Sequence, residues 1–564
     1  MPSAPLNDDA IWGLPGAKVA EPRKGAETFS ETPLWELLCR GAAHDPDAVA
    51  LVGRSGALRY GDMLRIAKNT AAALAERIAP GEAVACLLPR RPDAIAALIG
   101  CLISGRVCLV LNPANPALRQ RDLLMDLAPA AFLLAEMPPL RYDAPTLMLA
   151  DVLAGRDRIW RPDAAPDPDA PLSVHMTSGS SGLPKGIVLS ARSMLYRAFS
   201  NVHDMRLTRA DCIATFSAPF PGSGLSAMLA ALASGARCVL ASLAEDGAGA
   251  TLRLIERERV TCPVFQPPML RVLLSLERAP AAFAAMRSVR IGAAGLPRAD
   301  LVALRRSLPP DCAVWHTYAS TEALFVANWQ IPPDDSGPEA TVAVGMLEPD
   351  HDYALLDEND RSVAPGEPGE LVLRSRYLAL GEWRRGCVVP GRMLPVPNRP
   401  GRRCFRTGDL LQVQPDGMLR LLGRVDRQVK INGVRIEPAE IEAVLRTEPG
   451  VTDAAVVAVP GPGSVTLHGF VASLEPDHAA LVAALRSRLA ASLPMTLRPS
   501  KLTVLPQLPS LPIGKTDVNA LARLAASPPR RKTGDCPVSL WRRRASPRGR
   551  KCADARGSRR SRSP

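Results

Sequence analysis

A chain of 564 residues with 47% apolar content can bury more than one hydrophobic core, which suggests two to four domains and excludes a mostly disordered protein. The net charge of +13 comes almost entirely from one end. From Arg530 onward thirteen Lys and Arg face only Asp535 and Asp554, which leaves 56 basic and 54 acidic groups in the first 529 residues, so the folded part offers no electrostatic case for binding nucleic acid or a membrane surface.

Residues 1–28 are expected to form a flexible leader. Asp8, Asp9 and several prolines stand where a signal peptide would need an apolar stretch. The twelve cysteines include no Cys-x-x-Cys pair and no His partner at metal-binding spacing, which fits reduced, mostly buried thiols and a cytoplasmic protein. From about Thr28 to Val425 helix-like and strand-like segments alternate, the mark of α/β architecture, so residues 29–425 read as one large unit. The longest apolar run, Ala94 to Gly105, is 12 residues long and is followed by Arg106. It is too short to span a bilayer and predicts a buried helix. Ala94–Gly105 leading into Val107–Leu111, and Leu225–Gly235 leading into Arg237–Leu240, repeat one helix–turn–strand plan and predict two similar sheet-and-helix layers.

Residues 177–186 read Thr-Ser-Gly-Ser-Ser-Gly-Leu-Pro-Lys-Gly. Glycines let backbone N–H groups turn toward an anion, hydroxyls add donors, and Lys185 brings a mobile positive charge. This is the composition of a polyphosphate-gripping loop, but Pro184 before Lys185 and Gly186 after it exclude the Walker pattern. Next comes Tyr318-Ala319-Ser320-Thr321-Glu322, an aromatic ring, two hydroxyls and a carboxylate suited to stacking on a base and holding a magnesium ion. Residues 341–425 show short strands between Gly/Pro turns and predict a small β-rich barrel. Within them, Arg406-Thr407-Gly408-Asp409 supplies a carboxylate that can accept both hydroxyls of a ribose. The run from Gly423 to Gly433 is dense in charge at a domain boundary.

Beyond Asp426 a compact α+β unit of residues 426–525 is expected. It would hold a short helix over Pro438–Glu448, strands over Ala454–Val459 and Val465–Leu474, and a helix capped by Asp477 with Leu481, Leu485 and Leu489 along one stripe. Leu511-Pro512-Ile513-Gly514-Lys515 puts a lysine on a tight loop near its end. Residues 526–564 are rich in Arg, Pro and Ser and are expected to be disordered. That tail is open to two explanations, a shifted reading frame that overwrote a carrier domain or a nucleic-acid-binding arm, and the lack of interleaved aromatics speaks against the second. Taken singly, each motif also has a plain structural explanation: a Gly/Ser surface turn, a turn before a strand, an Asp turn, a solvated linker, an exposed lysine.

In this order and at this spacing the five clusters resemble the adenylate-forming superfamily, which comprises acyl- and aryl-CoA synthetases, nonribosomal peptide synthetase adenylation domains and luciferases. The resemblance runs from about Pro33 to Leu521. It implies a large N-terminal domain and a small mobile C-terminal domain that turns about Asp426 as a hinge. It further implies that Thr177, Ser178, Gly179, Ser180, Ser181, Gly182 and Lys185 cradle the phosphates of ATP. Tyr318 would pack on adenine, with the backbone of Ala293, Ala294 and Gly295 lining the nucleotide pocket. Glu322 would ligate Mg²⁺ beside Thr321, Asp409 and Arg424 would hold the ribose, and Lys515 would bridge the attacking carboxylate and the α-phosphate. Rotation of the small domain would bring Lys430 and Gly433 toward the thiol acceptor, either coenzyme A or the phosphopantetheine of a separate carrier protein.

Three departures bear on the substrate. Ser181 replaces the usual threonine and Ala319 the usual glycine, neither of which removes chemistry. Where amino-acid-activating domains carry an aspartate for the α-amino group, this chain has Gly222. The segment around Phe220, Gly222 and Gly224 instead resembles the acid pocket of acyl- and aryl-CoA synthetases, with Pro221 in place of histidine. Leu58–Leu64 and Ser375–Trp383, by contrast, resemble the adenylation domains of peptide synthetases. A carboxylic acid without an α-amino group is therefore favoured as substrate. The alternatives are a stand-alone amino-acid-activating domain and a catalytically silent nucleotide-binding module.

Overall fold

The computed structural model describes residues 11–137, 144–155, 158–162, 166–177, 184–216, 222–292, 295–337, 339, 341–425, 428–431, 434–461, 464–509 and 516–526. Two large sheets dominate it. In the eight-stranded sheet, Ala83–Leu87 pairs in parallel with both Val107–Leu111 and Ala131–Leu134. In the nine-stranded sheet, Cys212–Thr215 pairs in parallel with both Arg237–Leu240 and Cys262–Phe265. The repeated plan read in the sequence lies in these centres. Ala83–Leu87, the helix Pro92–Ile103 and Val107–Leu111 form one βαβ unit, and Cys212–Thr215, the helix Gly222–Ala233 and Arg237–Leu240 form the other. Each helix ends at a glycine in the left-handed region, Gly105 with φ 76° and Gly235 with φ 71°, where a side chain would be strained.

The predicted helix forms over Pro92–Ile103 and is buried as a helix apolar on nearly all sides must be, with Ala94 to Leu102 inside. Its neighbour, the helix Tyr60–Ala75, approaches so closely that a Cβ on Gly100 would lie 2.5 Å from both the Ala67 carbonyl oxygen and the Thr70 Cβ. Backbone on one side of that contact cannot swing away. Gly100→Ala is therefore expected to lower the thermal unfolding midpoint, by overpacking worth about 1–3 kcal/mol; an unchanged midpoint in a melting experiment would show that the two helices can part at no cost.

The β-rich stretch divides its strands. Asp352–Leu356, Gly369–Ser375, Arg403–Val413, Leu394–Pro395 and Leu419–Arg424 form a third, five-stranded sheet, antiparallel throughout. Gly381–Arg384 instead joins the eight-stranded sheet, antiparallel to Lys185–Ser190, with Glu382 opposite Ile187 and Trp383 opposite Gly186. The C-terminal unit follows the expected order. Its sheet runs Asp453–Gly461, Ser464–Ala472, Lys501–Leu505, with helices Pro438–Arg446 and His478–Ser492. The Asp477 carboxylate accepts from the Ala479 and Ala480 amides, and Leu481, Leu485 and Leu489 are buried. Arg119 of the large unit pairs with the buried Glu440 of the small one. Burial pushes the Glu440 carboxyl upward, against the pull of that guanidinium.

The flexible leader expected over residues 1–28 is corrected from Ile11 onward. The Gly13 amide donates to the Tyr353 carbonyl at 2.8 Å, Val19 bridges Leu347, and Arg23 is buried against Glu348 and Asp204. The segment is held by backbone pairing, by the packing of Ile11, Trp12, Leu14 and Ala17 against the cores, and by one charged anchor, all with partners far along the chain. The expected tail lies outside the described residues apart from Ala526, which ends the helix Val518–Ala526. Among the described residues no helix is long and apolar enough to cross a membrane.

Candidate active site

The strands flanking the phosphate-loop motif form an antiparallel pair, Pro171–Thr177 with Lys185–Ser190, and Thr177 lies opposite Lys185. The residues between them, Ser178 to Leu183, lie outside the described set. The pair brings the two ends of the loop together at one edge of a small pocket. Thr177, Lys185 and Glu322 line that pocket, along with Glu382, Arg392, Gln428 and Glu437. Lys185 Nζ lies 3.1 Å from Glu382 Oε1, and Arg384 donates to the other oxygen of the same carboxylate at 3.2 Å.

Glu322 reaches this place from the other large sheet. The hairpin of Ala313–Ser320 and Leu324–Ile331 turns at Thr321-Glu322-Ala323, and the Ser320 hydroxyl accepts from the Ala323 amide at 3.0 Å. Leu324 closes the turn with φ 58°, a left-handed value costly for a leucine. The Glu322 carbonyl accepts from the Ala379 amide at 2.9 Å, which ties the turn to the segment leading into Gly381–Arg384. The buried Glu322 thus stands where the two sheets meet, with Thr321 half-buried beside it.

The same strand carries a second cluster. The Tyr318 hydroxyl donates to Asp409 Oδ2, and Arg424 donates to Asp409 Oδ1. Burial, reinforced by the Asp409 carboxylate, pushes the Tyr318 hydroxyl well above its ordinary pKa, so it stays protonated and donating. Asp409 and Arg424 face each other across the pair Arg403–Val413 and Leu419–Arg424, and on the other side, against Gly369–Ser375, the register shifts over residues 407–409, where Gly408 takes φ 73°. The Gly408 amide donates to Glu370 Oε1 at 3.1 Å, and Arg406 grips the same carboxylate. An ionised carboxylate offers about four acceptor positions, so Asp409 keeps capacity for a ribose after both contacts are made.

Of the residues singled out in the sequence, Thr177, Lys185 and Glu322 share one pocket, and Tyr318, Asp409 and Arg424 form one hydrogen-bonded cluster. Gly222 and Gly224 open the buried helix Gly222–Ala233, and a Cβ at Gly295 would meet no described atom within 4 Å. Lys430 pairs through its backbone with Arg435. Ser178, Gly179, Ser180, Ser181, Gly182, Phe220, Ala293, Ala294, Asp426, Gly433 and Lys515 lie outside the described residues. Reading the sequence missed Glu382 and Arg392. Glu382 falls within Ser375–Trp383, a segment noted only for its resemblance to peptide synthetase domains, and only the strand crossing onto Lys185–Ser190 delivers it to the pocket.

Residues 38–383 match the AMP-binding enzyme family, and residues 440–515 match the AMP-binding enzyme C-terminal domain. A dimodular nonribosomal peptide synthase of Bacillus subtilis (strain 168) is 31% identical over 510 residues, 86% of this chain, and the chain spans 21% of that synthase. Among solved structures, the o-succinylbenzoate CoA synthetase of Bacillus subtilis superposes with a TM-score of 0.74 at 22% identity, covering 87% of this chain and 98% of that one. An artificially fused adenylation–PCP di-domain from Klebsiella oxytoca gives 0.73 at 21% identity, covering 84% and 93%. At these identities the two structures speak for the fold alone. With the first family match taking in more than half of its residues, the chain belongs to the AMP-binding enzyme family, the adenylate-forming ligases.

Proposed function

We propose that the protein activates a carboxylic acid in two steps. The acid's carboxylate attacks the α-phosphorus of ATP, giving an acyl-adenylate and releasing pyrophosphate. A thiol then takes the acyl group and AMP leaves. The thiol is coenzyme A or the phosphopantetheine arm of a separate carrier protein.

The observation that carries this reading is the meeting of the phosphate-loop strands and Glu322 in one pocket, on the strand that also presents Tyr318 to Asp409 and Arg424. Lys185 and Thr177 would take the phosphates, with Lys185 leaving Glu382 to do so. Asp409 and Arg424 would hold the ribose, and the Tyr318 ring would pack on the adenine. Two anions must approach in the first step, so positive groups aimed at the phosphates before reaction lower the barrier most. The oxygen donors that line the pocket, Glu322, Thr177 and Glu382 among them, suit Mg²⁺, a hard cation that takes carboxylate and hydroxyl oxygens. Glu322 would hold the ion, which when bound neutralises phosphate charge. Lys515, carried by the small domain, would bridge the two reacting anions, and the hinge at Asp426 would withdraw it and turn the face with Lys430 and Gly433 toward the thiol.

Gly222 favours an acid lacking an α-amino group, whereas the peptide synthase relative favours an amino-acid-activating domain. Pyrophosphate release measured across a panel of acids tests both. Turnover with fatty or aryl acids is the expected outcome, and turnover with amino acids alone establishes the second reading. ATP binding without turnover on any acid would mean that the protein is a silent nucleotide-binding module.

A further inference from the structure

Arg197 lies on the helix Ala191–Asp204 with only 5% of its surface exposed. Its Nε is buried without a hydrogen-bond partner, and among the described residues no carboxylate pairs with it. Its guanidinium sits 4.9 Å from the centre of the Phe325 ring, and Arg290 sits at the same distance from that ring. Arg290 is answered by Asp204 at 2.8 Å, and Arg23 is answered by Asp204 and Glu348. Three buried guanidiniums thus share two buried carboxylates, and the one left over is Arg197. Burial, with the like charge of Arg290, lowers its pKa to about 9, which still leaves it cationic at neutral pH. An uncompensated buried charge is strongly destabilising, so such a group marks a place where an anion is supplied from outside.

The location says which anion. Phe325 follows Glu322 by three residues and pairs with Ala319 across the hairpin that carries the nucleotide cluster. Met194, one helical turn before Arg197, lies 3.9 Å from where any side chain at Gly222 would place its Cβ. The helix that carries Arg197 therefore packs both against the helix opened by Gly222 and against the strand leading from Glu322, with Met194 facing the first and Arg197 the second. By the family resemblance, amino-acid-activating domains have a carboxylate at the Gly222 position to hold an ammonium. Here that position carries no side chain, and the uncompensated cation on the neighbouring helix, three residues on from the methionine that faces Gly222, favours the opposite charge.

We propose that Arg197 binds a second carboxylate on the acid being activated, so that the substrate class is a dicarboxylic acid with one carboxylate adenylated and the other held by the guanidinium. This rests on the adenylation reading. A carboxylate there gains charge-assisted hydrogen bonds, while an ammonium is repelled.

Matched acids of equal length test it: hexanoate, adipate and 6-aminohexanoate, shorter and longer members of the same series, and benzoate, terephthalate and 4-(aminomethyl)benzoate. The readout is kcat/KM for acid-dependent pyrophosphate release by the full chain. The best dicarboxylate is expected to exceed its neutral partner by roughly 10- to 100-fold, and the ammonium acids to be poorest. Arg197→Met should erase that preference with the KM for ATP unchanged, and Arg197→Lys should keep part of it. A wild-type protein that handles neutral or ammonium acids as well as dicarboxylates overturns the subsite and leaves adenylation standing, and this result needs no variant to fold. A preference that survives in Arg197→Met overturns it too. If no acid releases pyrophosphate while ATP still binds, adenylation and the subsite fall together.

Discussion

Glu322→Gln is expected to keep the fold and lose two to three decades of acid-dependent pyrophosphate release. The substitution conserves shape, and the turn that presents the side chain is held by backbone and Ser320 contacts that it leaves intact. What disappears is one formal negative charge in a pocket whose other occupants are to be ATP phosphates and their counter-ion. Removing one preplaced electrostatic partner of a phosphoryl transition state typically costs about 3–4 kcal/mol, which is that loss in rate. The midpoint of the magnesium titration should rise in parallel, because the ion would be left with weaker oxygen donors. Steady-state kinetics and a nucleotide-binding isotherm separate the effects. Full activity in the variant would remove Glu322 from the chemistry and leave it a buried turn residue.

Lys515→Ala should be equally costly in the first half-reaction and nearly silent in the second. An ammonium between the attacking carboxylate and the α-phosphate is useful only while two anions converge, and its loss again corresponds to about two to three decades. Under the proposed rotation about Asp426, transfer of the acyl group to the thiol would use the small domain in another orientation. Supplying a synthetic acyl-adenylate should therefore restore thioester formation to within a few-fold of the parent, while ATP–pyrophosphate exchange stays suppressed. Parent-level exchange in the variant would show that the lysine does not act on the α-phosphate. Equal loss in both halves would point instead to a general defect of the small domain.

Much of the fold was legible because it is written in short-range chemistry. Asp477 could be read as a cap from its own neighbourhood, and the left-handed Gly105 and Gly235 announced the two repeated helix–strand turns. The apolar run after Pro92 could only be a buried helix. The candidate site was legible as types of residue in a particular order. Its pairings were not. Glu382 meets Lys185 across 197 residues, and Tyr318 meets Asp409 across 91, through strand crossings that no local periodicity encodes. Residues 11–28 were misjudged for the same reason, since their anchors at Glu348, Asp204 and Leu347 lie far along the chain.

Arg197 draws the line most sharply. In the sequence it is one arginine among many on an amphipathic helix, and a solvated charge would be the ordinary expectation. Packing puts it beside Phe325 and Arg290 with no acid to meet it among the described residues. By itself the sequence determined the helices, turns, caps and the chemical inventory, because these depend on backbone preferences and neighbours within a few residues. Which strands cross, which carboxylate faces which cation, and which buried charge is left over were decided only by the tertiary structure, because burial joins surfaces that the chain itself keeps hundreds of residues apart.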